Sequence, residues 1–253
     1  MRLKEALGLR RGEMAALIGA GGKTTTMFRL AHELREDHWK VLVSTTTKIF
    51  KPSKPHIDRL FLVEENINAL AQACEAIAAP VVIGAGTTVS EDGKLLGLPA
   101  PWLDRLNDGK QFDAILVEAD GAASRLFKVP GDAEPVIPAS CQLTIWLMSI
   151  GVLKKPLDSA WVHRAERALA LLAAAAGESI TEDFIVQLVQ HPAGCWKGIP
   201  PASRKVAVIN QVDAPKDVAP AAALGKKLLA CGAQRVVLSS YTSEDPVKEV
   251  LLQ

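Results

Sequence analysis

Residues Gly19-Ala20-Gly21-Gly22-Lys23-Thr24-Thr25 constrain this chain more than any other segment. They follow a short apolar run, Met14 to Ile18, and precede apolar residues at Met27, Leu30, Ala31 and Leu34. That i, i+3, i+4, i+7 spacing predicts an amphipathic helix, and the run before the glycines predicts a strand. Strand, glycine turn, Lys-Thr and helix form the order that phosphate binding requires. Glycines let backbone N–H groups turn around an anion, and the helix N-terminus adds partial positive charge. Lys23 is expected to supply a point charge to the β- and γ-phosphates, and the Thr24 hydroxyl to reach Mg²⁺. A nucleoside triphosphate, ATP or GTP, is therefore the expected ligand, held by the amides from Gly21 to Thr25.

The rest of the chain predicts an α/β fold with a doubly wound, mostly parallel sheet of the phosphate-loop NTPase type. Strands are expected at Val41–Val43, Leu60–Val63, Val81–Ile83, Ala114–Val117, Leu143–Ile150, Val206–Ile209 and Val236–Leu238. Helices are expected over residues 67–78, 161–176, 182–189 and 218–229, with a final short helix closing the chain. Leu169 to Ala176 is Ala-rich and reads as buried helix. Pro130, Gly131, Pro135 and Pro138 predict a loop. One domain over residues 1–253 is expected, with a helical insert at about 151–200 as a variation on it.

Composition narrows the partners. Lys plus Arg total 29 against 28 Asp plus Glu, a net charge of +1, so no global field favours nucleic acid or a lipid surface. The apolar runs are too short or too broken to span a bilayer, and the N-terminus lacks the pattern of a signal peptide. The four cysteines, Cys74, Cys141, Cys195 and Cys231, form no CxxC pair, which suits a reducing cytoplasm.

Three further segments carry candidate chemistry. The strand ending Val117-Glu118-Ala119-Asp120-Gly121 delivers carboxylates beside the glycine turn, and Mg²⁺ takes hard oxygen ligands. Glu118 and Asp120 are candidate metal ligands with Thr24, and Asp120 is also the candidate general base. Ser44-Thr45-Thr46-Thr47-Lys48 ends the second strand, where ligands collect in doubly wound sheets. Thr46 is the metal candidate there, and the segment is open to the γ-phosphate, Mg²⁺ or a second substrate. Asn210-Gln211-Val212-Asp213 follows a late strand, with Asp213 the candidate base reader and Asn210 beside it. Ser239-Ser240 follows the next strand. His191 with Cys195 reads as a structural loop, and His163-Arg164-Ala165-Glu166 as a solvated helix face.

Several of these motifs resemble known families. The shortened glycine turn is similar to that of Mur-type ligases, G-x-x-G-K-T-T, and the Glu-x-x-Gly pattern at Glu118–Gly121 to that of metal-insertion GTPases. Asn210–Asp213 resembles the guanine-reading N-K-x-D motif, with Gln211 in place of the lysine. As a set, Leu17–Thr26, Thr45–Ile49, Val117–Gly121 and Glu134–Pro138 resemble the YqeC family, accessory proteins associated with selenium-dependent molybdenum hydroxylases. Gly97-Leu98, Leu103-Asp104 and His163-Arg164 fit the same resemblance. It implies a phosphate-loop NTPase that works in maturation of a molybdenum hydroxylase or on its cofactor, with a homodimer as the expected assembly. A basic residue after Gly121 is expected from the resemblance; Ala122-Ala123-Ser124 stands there, leaving Arg125 or Lys128 to substitute. An ATP-dependent transferase or ligase for a small substrate, and a nucleotide-binding regulatory module, stay open beside the NTPase.

Overall fold

The computed structural model describes residues 1–243 and 245–253. In chain order the elements begin with α1 (Leu3–Leu7), β1 (Glu13–Gly19), α2 (Lys23–Glu36), β2 (Lys40–Thr45), β3 (Lys48–Phe50) and β4 (Arg59–Leu62). Next come α3 (Ile67–Glu75), β5 (Val81–Gly86), β6 (Lys94–Leu96), α4 (Ala100–Asp108), β7 (Ala114–Glu118) and β8 (Phe127–Lys128). The remainder is β9 (Leu143–Ser149), β10 (Val162–His163), α5 (Ala165–Leu172), α6 (Glu182–Gln190), β11 (Arg204–Asn210), α7 (Pro215–Ala230), β12 (Arg235–Ser239) and β13 (Val247–Leu252).

Among the described residues, nine strands form one sheet in the order β13-β12-β11-β9-β1-β7-β2-β5-β4. Every pairing is parallel except β12 with β13. β1 lies between β7 and β9, so the turn after it leaves from the middle of the sheet's carboxyl edge. Parallel strands covered on both faces read as continuous apolar runs, and β1, β7 and β9 do so.

Alternation along each strand divides the core. Ala15 and Leu17 pack with Leu30 and Leu34 of α2, beneath α1, on one face. Ala16 and Ile18 join Trp146 and Met148 on the other, with Leu188 of α6 and Leu224 and Leu228 of α7. Met14, Leu42 and Ile115 meet α3 and α4 in a third cluster. The predicted stripe Met27, Leu30, Ala31 and Leu34 is fully buried. Ala168, Ile185 and Leu188 belong to the same cluster as the strand residues, so α5 and α6 are part of the main core.

Three local expectations are overturned. The chain ends in a strand, β13, and not in a helix: Val247 and Val250 pack on the core while β12 supplies the antiparallel partner. Residues 161–163 leave the expected helix to pair β10 with β8. The helix then runs only from Ala165 to Leu172, and residues 173–176 lie mostly at the surface, so the Ala-rich run is not buried helix.

Trp146 is among the largest fully buried side chains, edge-on to Phe127 with ring centroids 6.1 Å apart. Trp146→Ala is expected to lower unfolding free energy by about 3–5 kcal/mol, read from urea unfolding. A loss under about 1 kcal/mol would mean this cluster does not hold the sheet together.

Candidate functional site

The 19–25 turn is shaped by close backbone approach. Gly19, Gly21 and Gly22 have φ of 91°, 75° and 126°, where a side chain is strained. A Cβ on Gly19 would sit 2.3 Å from the Leu147 carbonyl, and one on Gly21 2.5 Å from the Ser149 nitrogen. A Cβ on Gly22 would meet the Asn210 amide at 2.5 Å. The Ala20 amide donates to the Leu147 carbonyl (2.9 Å) and the Gly21 amide to the Arg125 carbonyl (3.1 Å). The Gly21 amide is thus engaged by protein, which corrects the expectation that it joins the anion-facing group. The amides of residues 22–25 open α2, where no preceding turn supplies carbonyls.

Lys23 is buried, and its ammonium donates to the Gly19 carbonyl at 2.7 Å. It also lies 3.1 Å from Asp120 Oδ1 and 3.8 Å from Glu118 Oε1. The Asp120 contact is close but poorly angled, so Oδ1 accepts no well-formed hydrogen bond and acts by charge alone. Asp120 Oδ2 accepts from the Gly19 amide at 3.0 Å and faces the Lys128 ammonium at 3.2 Å. Lys128 reaches Glu134 at 2.7 Å and the Gly121 carbonyl, and Arg164 grips Glu134 through its two terminal guanidinium nitrogens. Six groups of alternating sign thus run from Glu118 through Lys23, Asp120, Lys128 and Glu134 to Arg164.

Two expectations change with this geometry. Asp120 is 3% exposed and does not line the cleft, so it holds Lys23 and the Gly19 amide and is not placed as a general base. His163-Arg164 is no solvated helix face: His163 lies in β10, and Arg164 opens α5 while anchoring Glu134.

The Thr24 hydroxyl donates to Glu118 Oε2 at 2.7 Å. Burial pushes the Glu118 carboxyl above its ordinary value, against the opposing effects of Lys23 and Thr24. Among the described residues, no group of three or more His, Cys, Asp or Glu could hold a metal. The oxygens of Thr24 and Glu118 nevertheless suit a shared edge of an octahedral Mg²⁺ shell, whose neighbouring ligands lie about 2.9 Å apart. That donor set fits an ion that takes its remaining oxygens from water and phosphate.

Thr46 departs from its assignment. Its hydroxyl donates to the Val136 carbonyl at 2.8 Å and so ties down the loop after Glu134. Thr45 instead braces the strand that carries Glu118, donating to the Glu118 carbonyl at 2.7 Å. Thr47 and Lys48 line the cleft.

Asn210 is buried and donates to the Gly21 carbonyl at 2.7 Å, while Ser239 donates to its side-chain oxygen at 3.0 Å. It supports the turn from beneath. Asp213 is exposed and accepts from Ser240 and Thr242. Gln211, at φ 62°, lines the cleft and accepts a hydrogen bond from Ser149. Of the two basic residues after Gly121, Arg125 lines the cleft and Lys128 is buried behind it. His191 and Cys195 lie in a structural loop: the His191 ring accepts from the Ala193 amide, and burial pushes the Cys195 thiol up.

Sequence reasoning missed the support that Glu134 and Lys128 give the site. The resemblance named both, Glu134 in the run Glu134–Pro138 and Lys128 as a substitute basic residue, but not that role. Asp104, from the same resemblance, binds the Ser140 amide and hydroxyl and fixes the loop into β9.

The glycine turn, Thr47, Lys48, Glu118, residues 121–126 and Gln211 enclose a cleft of about 630 Å³ along the sheet's carboxyl edge. This is where open α/β sheets bind ligands. The YqeC protein family model matches residues 15–166, which contain the turn, Glu118, Asp120, Lys128, Glu134 and Arg164. The chain belongs to the YqeC family. An Escherichia coli (strain K12) protein described as "Uncharacterized protein YqeC" is 29% identical over 202 residues, covering 80% of this chain and 77% of that protein. Among the described residues, no helix is long and apolar enough to cross a membrane.

Burial opposes ionisation of Glu134, but hydrogen bonds from Lys128 and Arg164 outweigh it and lower the carboxyl from 4.5 to about 2. A depressed carboxylate contributes stability above the unfolded value that is lost as pH falls through the folded one. The urea midpoint should therefore fall between pH 4.5 and about 2, and less steeply in Glu134→Gln. Parallel pH profiles for the two proteins would remove Glu134 from the account.

Proposed function

We propose that the chain is a Mg²⁺-dependent nucleoside triphosphatase. It binds ATP or GTP at residues 19–25 and serves as an accessory protein in maturation of a selenium-dependent molybdenum hydroxylase. The observation that carries the nucleotide reading is the joint placement of Lys23 and the Thr24–Glu118 pair at the opening of α2, beside the cleft. The maturation role rests on the family resemblance, and stimulation of hydrolysis by the hydroxylase is its test.

Each residue has a physical task in this reading. The amides of residues 22–25 and the start of α2 receive phosphate oxygens. Lys23, held on the Gly19 carbonyl between two carboxylates, exchanges those partners for the β- and γ-phosphates. Asp120 keeps Lys128 when Lys23 turns outward, so it is not left as an unpaired buried charge. Thr24 and Glu118 hold Mg²⁺, which neutralises charge on the transferring phosphoryl group. Asp213, held by Ser240 beyond the end of β11 and outside the cleft lining, is the candidate base reader.

Calorimetric titration with non-hydrolysable ATP and GTP analogues, with and without Mg²⁺, tests the site. Lys23→Ala should weaken triphosphate binding about 10- to 100-fold, as expected for a lost charge-assisted contact. The far-UV circular dichroism spectrum should stay as in wild type. Glu118→Gln should abolish the Mg²⁺ dependence. Unchanged affinity in a folded Lys23→Ala protein would sink the assignment.

A further inference from the structure

We infer that the end of the cleft beyond the γ-phosphate position binds a second, small ligand bearing an oxyanion such as a phosphate, held by Lys48 and Lys94. This deepens the proposed function, on which the orientation of the nucleotide rests.

Charge is the first observation. The charged residues lining the cleft are Lys23, Lys48, Lys94, Arg125 and Glu118, four cations against one carboxylate. Lys23 and Glu118 belong to the triphosphate and its metal. Lys48 and Lys94 sit apart from them, on the antiparallel pair β3 and β6. Lys48 is exposed, and among the described residues no carboxylate pairs with it. Lys94 contacts Asp92 at 2.7 Å and lies 5.8 Å from the centre of the Phe50 ring. Two lysines held in one concave site raise the local concentration of anions well above that near isolated surface charges.

Topology sets which end of the cleft this is. From β1 the sheet runs through β9 to β11 on one side and through β7 to β2 on the other. Gln211 and Asp213 follow β11, whereas Lys48 follows β2. Glu118, the metal candidate, ends β7 between β1 and β2. A nucleotide whose base lies toward β11 therefore directs its γ-phosphate toward β2 and the lysines.

The wall is built rigidly enough to be a site. The Gly97 amide donates to the Thr47 carbonyl at 2.8 Å and the Leu98 amide to the Thr45 carbonyl at 2.9 Å. A Cβ on Gly97 would lie 2.3 Å from the Thr45 carbonyl, so the segment after β6 is pressed onto the end of β2. Thr45 is itself bonded to the Glu118 backbone, which fixes the lysines relative to the metal candidate.

Two features leave room for a ligand. Phe50 is 74% exposed, an apolar ring at the cleft with little covering it. Ala123 and Ser124, which line the same cleft, hold φ of 46° and 56°, consecutive non-glycine residues in left-handed conformations. Such strain clusters at ligand sites, and these two small side chains keep the wall low. An oxyanion on the lysines with an apolar portion against Phe50 matches the surfaces present.

The test is a titration of inorganic phosphate into the full chain saturated with Mg²⁺ and a non-hydrolysable triphosphate analogue, read by backbone amide shifts in NMR. Shifts at residues 48–50 and 94–96 are expected. The Lys48→Ala, Lys94→Ala double variant should weaken phosphate binding about tenfold and more than it weakens triphosphate binding. Phosphate shifts confined to residues 19–25 and displaced by the analogue would overturn the inference. So would equal losses of both affinities, the mark of a general change in charge. If the analogue does not bind, the nucleotide reading fails. Phosphate shifts at the two lysines in Lys23→Ala would then uphold the second site alone, and their absence would overturn it as well.

Discussion

Asp120 is the point on which the site depends. Its carboxylate is buried at the end of the sheet and joins the Gly19 amide, Lys23 and Lys128, contacts that belong to β1, α2 and β8. Burying a charge this deeply is tolerated only with partners on all sides. Lys128 remains as the countercharge of Asp120 when Lys23 turns away, and the network specifies one arrangement of the three elements more than it adds stability. Lys128 requires Glu134 for the same reason, and Glu134 draws in Arg164. The geometry of the glycine turn is thereby tied to the start of α5.

The glycines answer two demands at once. The proposed phosphate binding would ask for amides that face a cleft, but the contacts give a separate reason for the absence of side chains. Gly19 and Gly21 pass against the backbone of β9, and Gly22 passes against Asn210 at the end of β11. Ala20, between them, is buried without strain. Glycine at these places is thus required by the neighbouring strands even before a ligand is considered. This also accounts for the shortened loop, since β1 continues to Gly19 and the turn has few residues left before α2 begins.

The fold was legible wherever local pattern and burial agree. The stripe Met27, Leu30, Ala31, Leu34 and the apolar runs of β1, β7 and β9 declare their periods, and both faces of the sheet are covered as those runs require. The six residues of β13 were not legible. Val247-Lys248-Glu249-Val250 spaces its valines as one helical turn would, and only pairing with β12 decides for strand. Residues 161–163 failed for a like reason, because β8, their partner, is a two-residue strand with no pattern of its own. Within the site, Lys23, Thr24 and Glu118 were readable because their chemistry is local to a motif. Lys128, Glu134 and Arg164 entered only through the family resemblance, because their roles lie in ion pairs with one another and with Asp120 that no local pattern marks. Thr46 was misplaced by one residue's turn of the backbone: among four hydroxyl-bearing neighbours, the fold decides which faces the cleft.

Glu118 shows how far the site is poised. Burial raises its carboxyl, so the ionised form is held at some cost to the fold. For an acid whose folded value lies above the unfolded one, stability is greatest at low pH and declines as pH rises through the raised value. Lys23 and the Thr24 hydroxyl offset part of that cost, but Asp120 adds a second negative charge nearby. A divalent cation would reverse the balance, because it favours the ionised carboxylate directly and replaces Lys23 as its countercharge. Lys23 would then be released toward phosphate at the moment the metal arrives. In the proposed reading, metal and triphosphate binding would be coupled through this one carboxylate, each lowering the penalty that opposes the other.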